Sequence, residues 1–423
     1  MAACCKTPHM PPTPLTGLAE HVLPLIRSRS DLHRWSAANA HGRDMHEAID
    51  ILEQDGAAGP TERYAVTHKA LASAIRVIAR ADDSSGIIGD ACRRLLDLHP
   101  RAAAEARIKP AKLIDWMIKF QFDDNEVDYF ELDVAAYAEA LGDAGVAAYR
   151  ERLSEIEASL GPRPSHQDRW QSNNSHAWFT LDWNAKRLAV LDRDIEAIIR
   201  THVGDRKVAA WFTDTAEAFE EIGEYDLAID WARQATEFGL GHQSVTAARH
   251  WAKLIDTHRP TESLETRVFL FRRWPNSSNA SELYRAAGDA WPTYRDEVME
   301  KLSHQPYDAV TFTLRTLNDP QAAWDLAHDL SLDSDYGWAD LANAYGKIDP
   351  LAVLPIHERL VRNELTEAGA EHYRRAAKRL AGMRKLAPTP DSAAWVDALI
   401  ADLREENKRR PRLQQEFTRA GLP

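Results

Sequence analysis

A chain of 423 residues is longer than one ordinary core organises, so two to four packing units are expected. With 44% hydrophobic and 28% charged residues it is not a mainly disordered chain, and no apolar run nears the roughly 20 residues needed to cross a bilayer. A net charge of −13 argues against broad electrostatic contact with nucleic acid, and three cysteines, Cys4 and Cys5 adjacent, cannot make a disulfide framework, so a reducing cytoplasm is the expected setting.

Residues 1–14 read as a disordered start without the apolar stretch of a secretory signal, and 15–160 as an N-terminal helical domain. His41 and His46, near Glu47 and Asp50, are five apart and cannot share one helix face, so no metal site is expected there. Thr61 can cap a helix whose Tyr64, Val66, Leu71, Ile75 and Ile78 recur at helical spacing; Asp82–Gly86 is the turn that stops it. The pattern repeats from Ile87 to Leu98 and is expected to end at His99-Pro100, with Cys92 a buried structural thiol. From Lys112 to Phe122, Leu113, Trp116, Met117 and Phe120 make one apolar stripe.

Six carboxylates then fall within Asp123–Asp133. As an EF-hand loop the run fails, since Asp128 and Val134 stand where glycine and glutamate are required. Asp123, Asp124, Glu126 and Asp128 remain as an acidic contact loop for a cation or a basic partner, against the plainer reading of a solvated loop that caps the next helix. Residues 161–179 read as a linker, centred on the proline- and asparagine-rich stretch Gly161–Ser175, and 180–423 as a helical-repeat domain.

The repeat is clearest at Ala209–His242, which matches a tetratricopeptide repeat. Its landmarks are Phe212, Ala216, Phe219, Gly223, Tyr225, Ala228 and Ala235. The alanines let two antiparallel helices approach, Phe219 fills the gap, and Gly223 permits the turn. Trp338, Leu341, Ala342 and Tyr345 form a weaker echo, followed by Asp349-Pro350 at the turn and Pro355 near the next first turn. Of thirteen tryptophans, Trp211, Trp231, Trp251, Trp274, Trp291, Trp324 and Trp338 recur through the repeat region, where packing is their usual role. The strand-like runs Val268–Phe271 and Val310–Leu314 lie inside segments that also read as helix, so the fold class is all-α: an α-solenoid of irregular TPR-like antiparallel hairpins.

Motifs for common chemistry are missing. No P-loop, HExxH, GxSxG or paired CxxC occurs, and Gly239-Leu240-Gly241 follows a helix and lacks the third glycine of a dinucleotide fingerprint. No cofactor and no catalytic residue is assigned. Basic residues gather late. Arg374, Arg375, Lys378 and Arg379 make a basic helix face at i, i+4 spacing, and Arg404, Lys408, Arg409, Arg410 and Arg412 follow on another segment.

The runs Asp115–Leu153, Ala81–Pro100 and Arg409–Pro423 resemble an uncharacterised bacterial helical-repeat family that commonly follows an N-terminal SWIM-type zinc finger. The resemblance implies a helical fold and is silent about mechanism. The finger requires Cys-x-Cys and Cys-x-His, and this sequence has neither, so its metal and nucleic-acid associations transfer to no residue here.

Three functions follow as expectations. The first is a non-catalytic intracellular scaffold that binds a protein or peptide partner along stacked helix pairs, with no membrane association. The second is a nucleic-acid-associated accessory protein using the late basic segments. The third, a hydrolase built on the Asp123–Asp133 carboxylates, requires separated acids to converge in space.

Overall fold

The structure is a computed structural model that describes residues 17–54, 58–123, 130–164, 174–204 and 206–423. Helices make up 78% of the described residues, which contain no strand beyond an isolated bridge between Leu32 and Ala81. The chain divides into two compact units, Met1–Ala235 and Thr236–Pro423.

The first unit runs α1 (Gly17–Ile26), α2 (Trp35–Glu53), α3 (Pro60–Ile78), α4 (Ile87–Glu105), α5 (Pro110–Phe122), α6 (Ala138–Leu160), α7 (Ser175–Leu191), α8 (Ile195–His202), α9 (Ala209–Glu221) and α10 (Tyr225–Ala235). One core gathers Leu23, Ile26, Met45, Ile49, Leu71, Ile88, Cys92 and Leu95, and the next gathers Leu113, Met117, Tyr137, Tyr149 and Trp178. The second unit runs α11 (His242–His258), α12 (Ser263–Arg273), α13 (Ser277–Ala287), α14 (Trp291–Ser303), α15 (Pro306–Arg315), α16 (Pro320–Asp329), α17 (Asp335–Tyr345), α18 (Pro350–Glu364), α19 (Ala370–Leu386), α20 (Pro390–Glu406) and α21 (Pro411–Arg419). Within each unit every helix packs mainly on its first or second neighbour in sequence, the α-solenoid arrangement of stacked hairpins. The two strand-like runs lie in α12 and α15.

Local chemistry explains the helix starts. Asp319, Asp349 and Thr389 each accept hydrogen bonds from backbone N–H groups of the first turn, and each precedes a proline at the first helical position, where its missing N–H costs nothing. Gly223 ends α9 with φ +78°, and Glu224 N–H reaches back to Phe219 O at 2.9 Å, which satisfies the terminal carbonyls and sends the chain into α10.

Two expectations change. Helix α4 does not stop at His99-Pro100 but continues to Glu105; the proline removes one backbone N–H, yet His99 and Pro100 are both buried, and packing outweighs the local preference. Pro355 is the sixth residue of α18 rather than part of its first turn, which Pro350 opens. Next to the expected linker at 161–179, α7 packs on both α5 and α6. Of that segment, residues 165–173 lie outside the described residues, as does the expected disordered start at 1–14.

Candidate functional site

The second unit contains a cleft of about 440 Å³ between α17, α18 and α19. Helix α19 turns Tyr373, Ala376, Ala377, Leu380 and Met383 inward, which leaves its intervening residues to form one wall. Arg375, Lys378 and Arg379 line the cleft at one end, with Gly382, Met383 and Leu386 further along the same helix. Ala342 and Asn343 come from α17, and His357 and Glu364 from α18.

The charges in this cleft are unevenly matched. Glu364 accepts from Arg375 Nε at 2.9 Å and is 2.7 Å from His372 Nδ1. Burial alone would raise its carboxyl, but these hydrogen bonds outweigh burial and hold it below the ordinary value. Arg379 is half-buried, and its guanidinium donates to His357 Nδ1 at 3.2 Å. An arginine can only donate, so His357 accepts at Nδ1 and its neutral ring carries the proton on Nε2. Burial, then the neighbouring Arg379, pushes the imidazole down to about 4. Burial likewise lowers the Arg379 guanidinium, opposed by the fields of Glu364 and Asp335. No ion pair joins Lys378 or Arg379 to a carboxylate among the described residues. Lys378 is exposed; Arg379 has lost part of its hydration without gaining a carboxylate.

Three of the four residues of the expected basic face therefore meet in this cleft. The fourth, Arg374, turns away and pairs with Glu371 at 2.5 Å. The later basic residues have structural work. Arg404 donates to Pro423 O at 2.6 Å and Leu422 O at 3.1 Å, Arg410 to Leu365 O at 2.7 Å, and Arg412 pairs with Glu416. His357, Glu364 and Asn343 carried no signal in the sequence, since only the packing of α18 and α17 on α19 brings them here.

The repeat landmarks Phe212, Ala216, Phe219, Ala228 and Ala235 are all buried in the first unit. Tyr225 is not: it is 42% exposed, because as the first residue of α10 it sits beyond the packed part of the hairpin. Of the acidic loop, Asp123 is exposed at the end of α5, while Asp124, Glu126 and Asp128 lie outside the described residues. The last acid of that run, Asp133, has a packing role: Arg187 grips it at 2.7 and 2.8 Å and holds Glu221 with its remaining N–H groups. His46, weighed for metal, instead bridges Ile87 O and Arg94, and Arg94 also pairs with Asp50. Cys92 is fully buried, and burial pushes its thiol up to about 12, which leaves it protonated and unreactive.

Residues 19–411 match the family of unknown function DUF6880, and the chain belongs to that family. No curated protein matches the chain. Among solved structures it is similar to a circular tandem repeat protein with novel repeat topology and enhanced subunit contact surfaces, at 15% identity over 96% of this chain and 97% of that one, with a TM-score of 0.16.

Proposed function

We propose that this member of the family is a non-catalytic interaction scaffold that holds an acidic protein segment in the α17–α19 cleft. The observation that carries the reading is the pair Lys378 and Arg379, neighbouring cations without carboxylate partners in a chain of net charge −13. Other arginines of the second unit do have carboxylate partners, as Arg272 has Glu297 and Arg362 has Glu358 and Glu406. Two unmatched cations beside an apolar wall favour an acidic partner. The stacked hairpins supply a rigid frame for such a face.

The nucleic-acid reading is weaker on the same residues. Binding a phosphate backbone takes a track of many cations. Here Arg374 and Arg375 are neutralised by Glu371 and Glu364, and Arg404 and Arg410 are spent on backbone carbonyls. The resemblance to chains that follow a SWIM-type finger extends the scaffold reading to a companion role beside a separately encoded zinc module, within the cytoplasm.

The test is capture from native cells at physiological salt, comparing the wild type with the Lys378→Glu/Arg379→Glu double variant. A discrete protein partner lost from the double variant supports the scaffold. A salt-dependent gel shift on nucleic acid, with no protein retained, overturns it.

A further inference from the structure

The cleft has a second feature that electrostatics does not explain. Gly382 sits in the interior of α19, where glycine weakens a helix by about 1 kcal/mol relative to alanine. A Cβ built there would meet nothing within 4 Å, so no neighbouring atom requires the glycine. Its missing side chain leaves a gap in the cleft wall between the cationic end and the half-buried Leu386.

We infer that the cleft recognises an extended peptide carrying one oxyanion, a carboxylate or a phosphate monoester, two positions from an apolar side chain. Lys378, Arg379 and His357 receive the oxyanion, and the apolar group lies over Gly382 against Leu386. The inference rests on the reading of this cleft as a docking face and adds what docks. Three arguments support it. A half-buried guanidinium without a carboxylate is an anion site in waiting, because a planar fork of N–H donors matches a carboxylate or phosphate in two-point contact. The cleft volume, about 440 Å³, is in the range of pockets that take small groups. The spacing also fits: the four residues from Lys378 to Gly382, one turn apart on the same face, rise about 6 Å along the helix. Residues i and i+2 of an extended peptide, which point the same way, are about 6.8 Å apart.

The test is calorimetric titration of the full chain with three capped tripeptides, N-acetyl-Leu-Ala-Glu-amide, its phosphoserine counterpart and its glutamine counterpart, and with inorganic phosphate alone. The glutamate and phosphoserine peptides are expected to bind at least tenfold more tightly than the glutamine peptide. Whichever of the two binds better identifies the natural oxyanion. Arg379→Gln and Lys378→Gln should each weaken the acidic peptides at least fivefold; Lys378 is exposed, so its variant keeps the test alive should the Arg379 variant fail to fold. Gly382→Leu, which fills open space, should weaken the acidic peptides tenfold while inorganic phosphate binds as before. Equal binding of the glutamate and glutamine peptides, or acidic-peptide affinity unchanged by both Lys378→Gln and Gly382→Leu, overturns the inference. Peptide binding without any captured protein partner defeats the scaffold reading alone. A partner lost on the double charge reversal, with neither acidic peptide bound, defeats this inference alone.

Discussion

His99 Nδ1 lies 2.8 Å from Tyr137 Oη, and the Nε2 of the same ring lies 2.9 Å from His68 Nδ1, so one fully buried imidazole ties α3, α4 and the segment entering α6 together. Trp116 packs over it with ring centres 4.3 Å apart. A neutral His99 satisfies both bonds, giving one proton and taking one.

Acid should therefore loosen the first unit. Burial, then the neighbouring His68, pushes His99 down to about 3, while the unfolded ring titrates near its ordinary value of 6.5. Between these limits the unfolded chain binds the extra proton, so stability falls as pH drops below about 6.5 and is unaffected above it. At pH 4.5 this one group costs about 2–3 kcal/mol. His202 and His357, both lowered to about 4, add to the fall with the same sign. Urea midpoints measured from pH 7 to 4.5 should decline, and His99→Gln should flatten the decline. Identical pH slopes for the two proteins would remove His99 as the cause.

A second buried network should be equally intolerant of a missing atom. Gln121 Nε2 donates to Tyr149 Oη at 2.7 Å, Tyr149 donates to Asn184 Oδ1 at 2.8 Å, and Asn184 Nδ2 donates to Gln121 Oε1 at 3.0 Å. The three close a ring among α5, α6 and α7 in which all three side chains are buried. Tyr149→Phe keeps the shape but leaves Asn184 Oδ1 without its donor, and should cost about 1–3 kcal/mol by urea denaturation. A change below about 0.5 kcal/mol would mean that water or a side-chain rearrangement fills the gap.

The hairpin α9–α10 offers a test of register. Ala216 and Ala228 have no exposed surface, whereas Glu217, one residue on, faces outward. Ala216→Leu should cost about 1–3 kcal/mol through overpacking, and Glu217→Leu should change stability by less than about 0.5 kcal/mol. Thermal melts of the two variants check this, and equal melting temperatures would contradict the packing described.

What the sequence disclosed and what it hid divide along physical lines. Helical periodicity is local, so α3, α5 and the α9–α10 hairpin could be read from the spacing of Leu71, Met117 or Ala216. The turn at Asp349-Pro350 was legible too, because the effect of a proline is confined to one turn, and Pro350 opens α18. Pro100 misled for the complementary reason: the packing around His99 outweighs a single missing hydrogen bond. The cleft was half legible. Arg375, Lys378 and Arg379 showed as a basic helix face, but which of them is neutralised depends on Glu364, eleven residues from Arg375 and on another helix. The buried networks left no trace, since Gln121 and Asn184 are 63 residues apart and only tertiary packing joins them.

Two glycines should respond to the same substitution with opposite sign. Gly42 lies within α2 against the start of α4, and a Cβ there would fall 2.5 Å from Ile87 Cγ2 and 3.1 Å from Cγ1. Alanine gains about 1 kcal/mol of helix propensity at such a position. The branched Ile87 side chain is stiff at χ1 and cannot swing away, so the two helices must move apart, at a cost of about 1–3 kcal/mol. The clash outweighs the propensity, and Gly42→Ala should destabilise the protein. Gly382, also within a helix, has no neighbour to clash with, so Gly382→Ala should stabilise by about 0.5–1 kcal/mol. Denaturant midpoints of both variants decide the matter. A stabilised Gly42→Ala would mean that α2 and α4 are less closely packed than described, and a destabilised Gly382→Ala would mean that the wall of the cleft is not open.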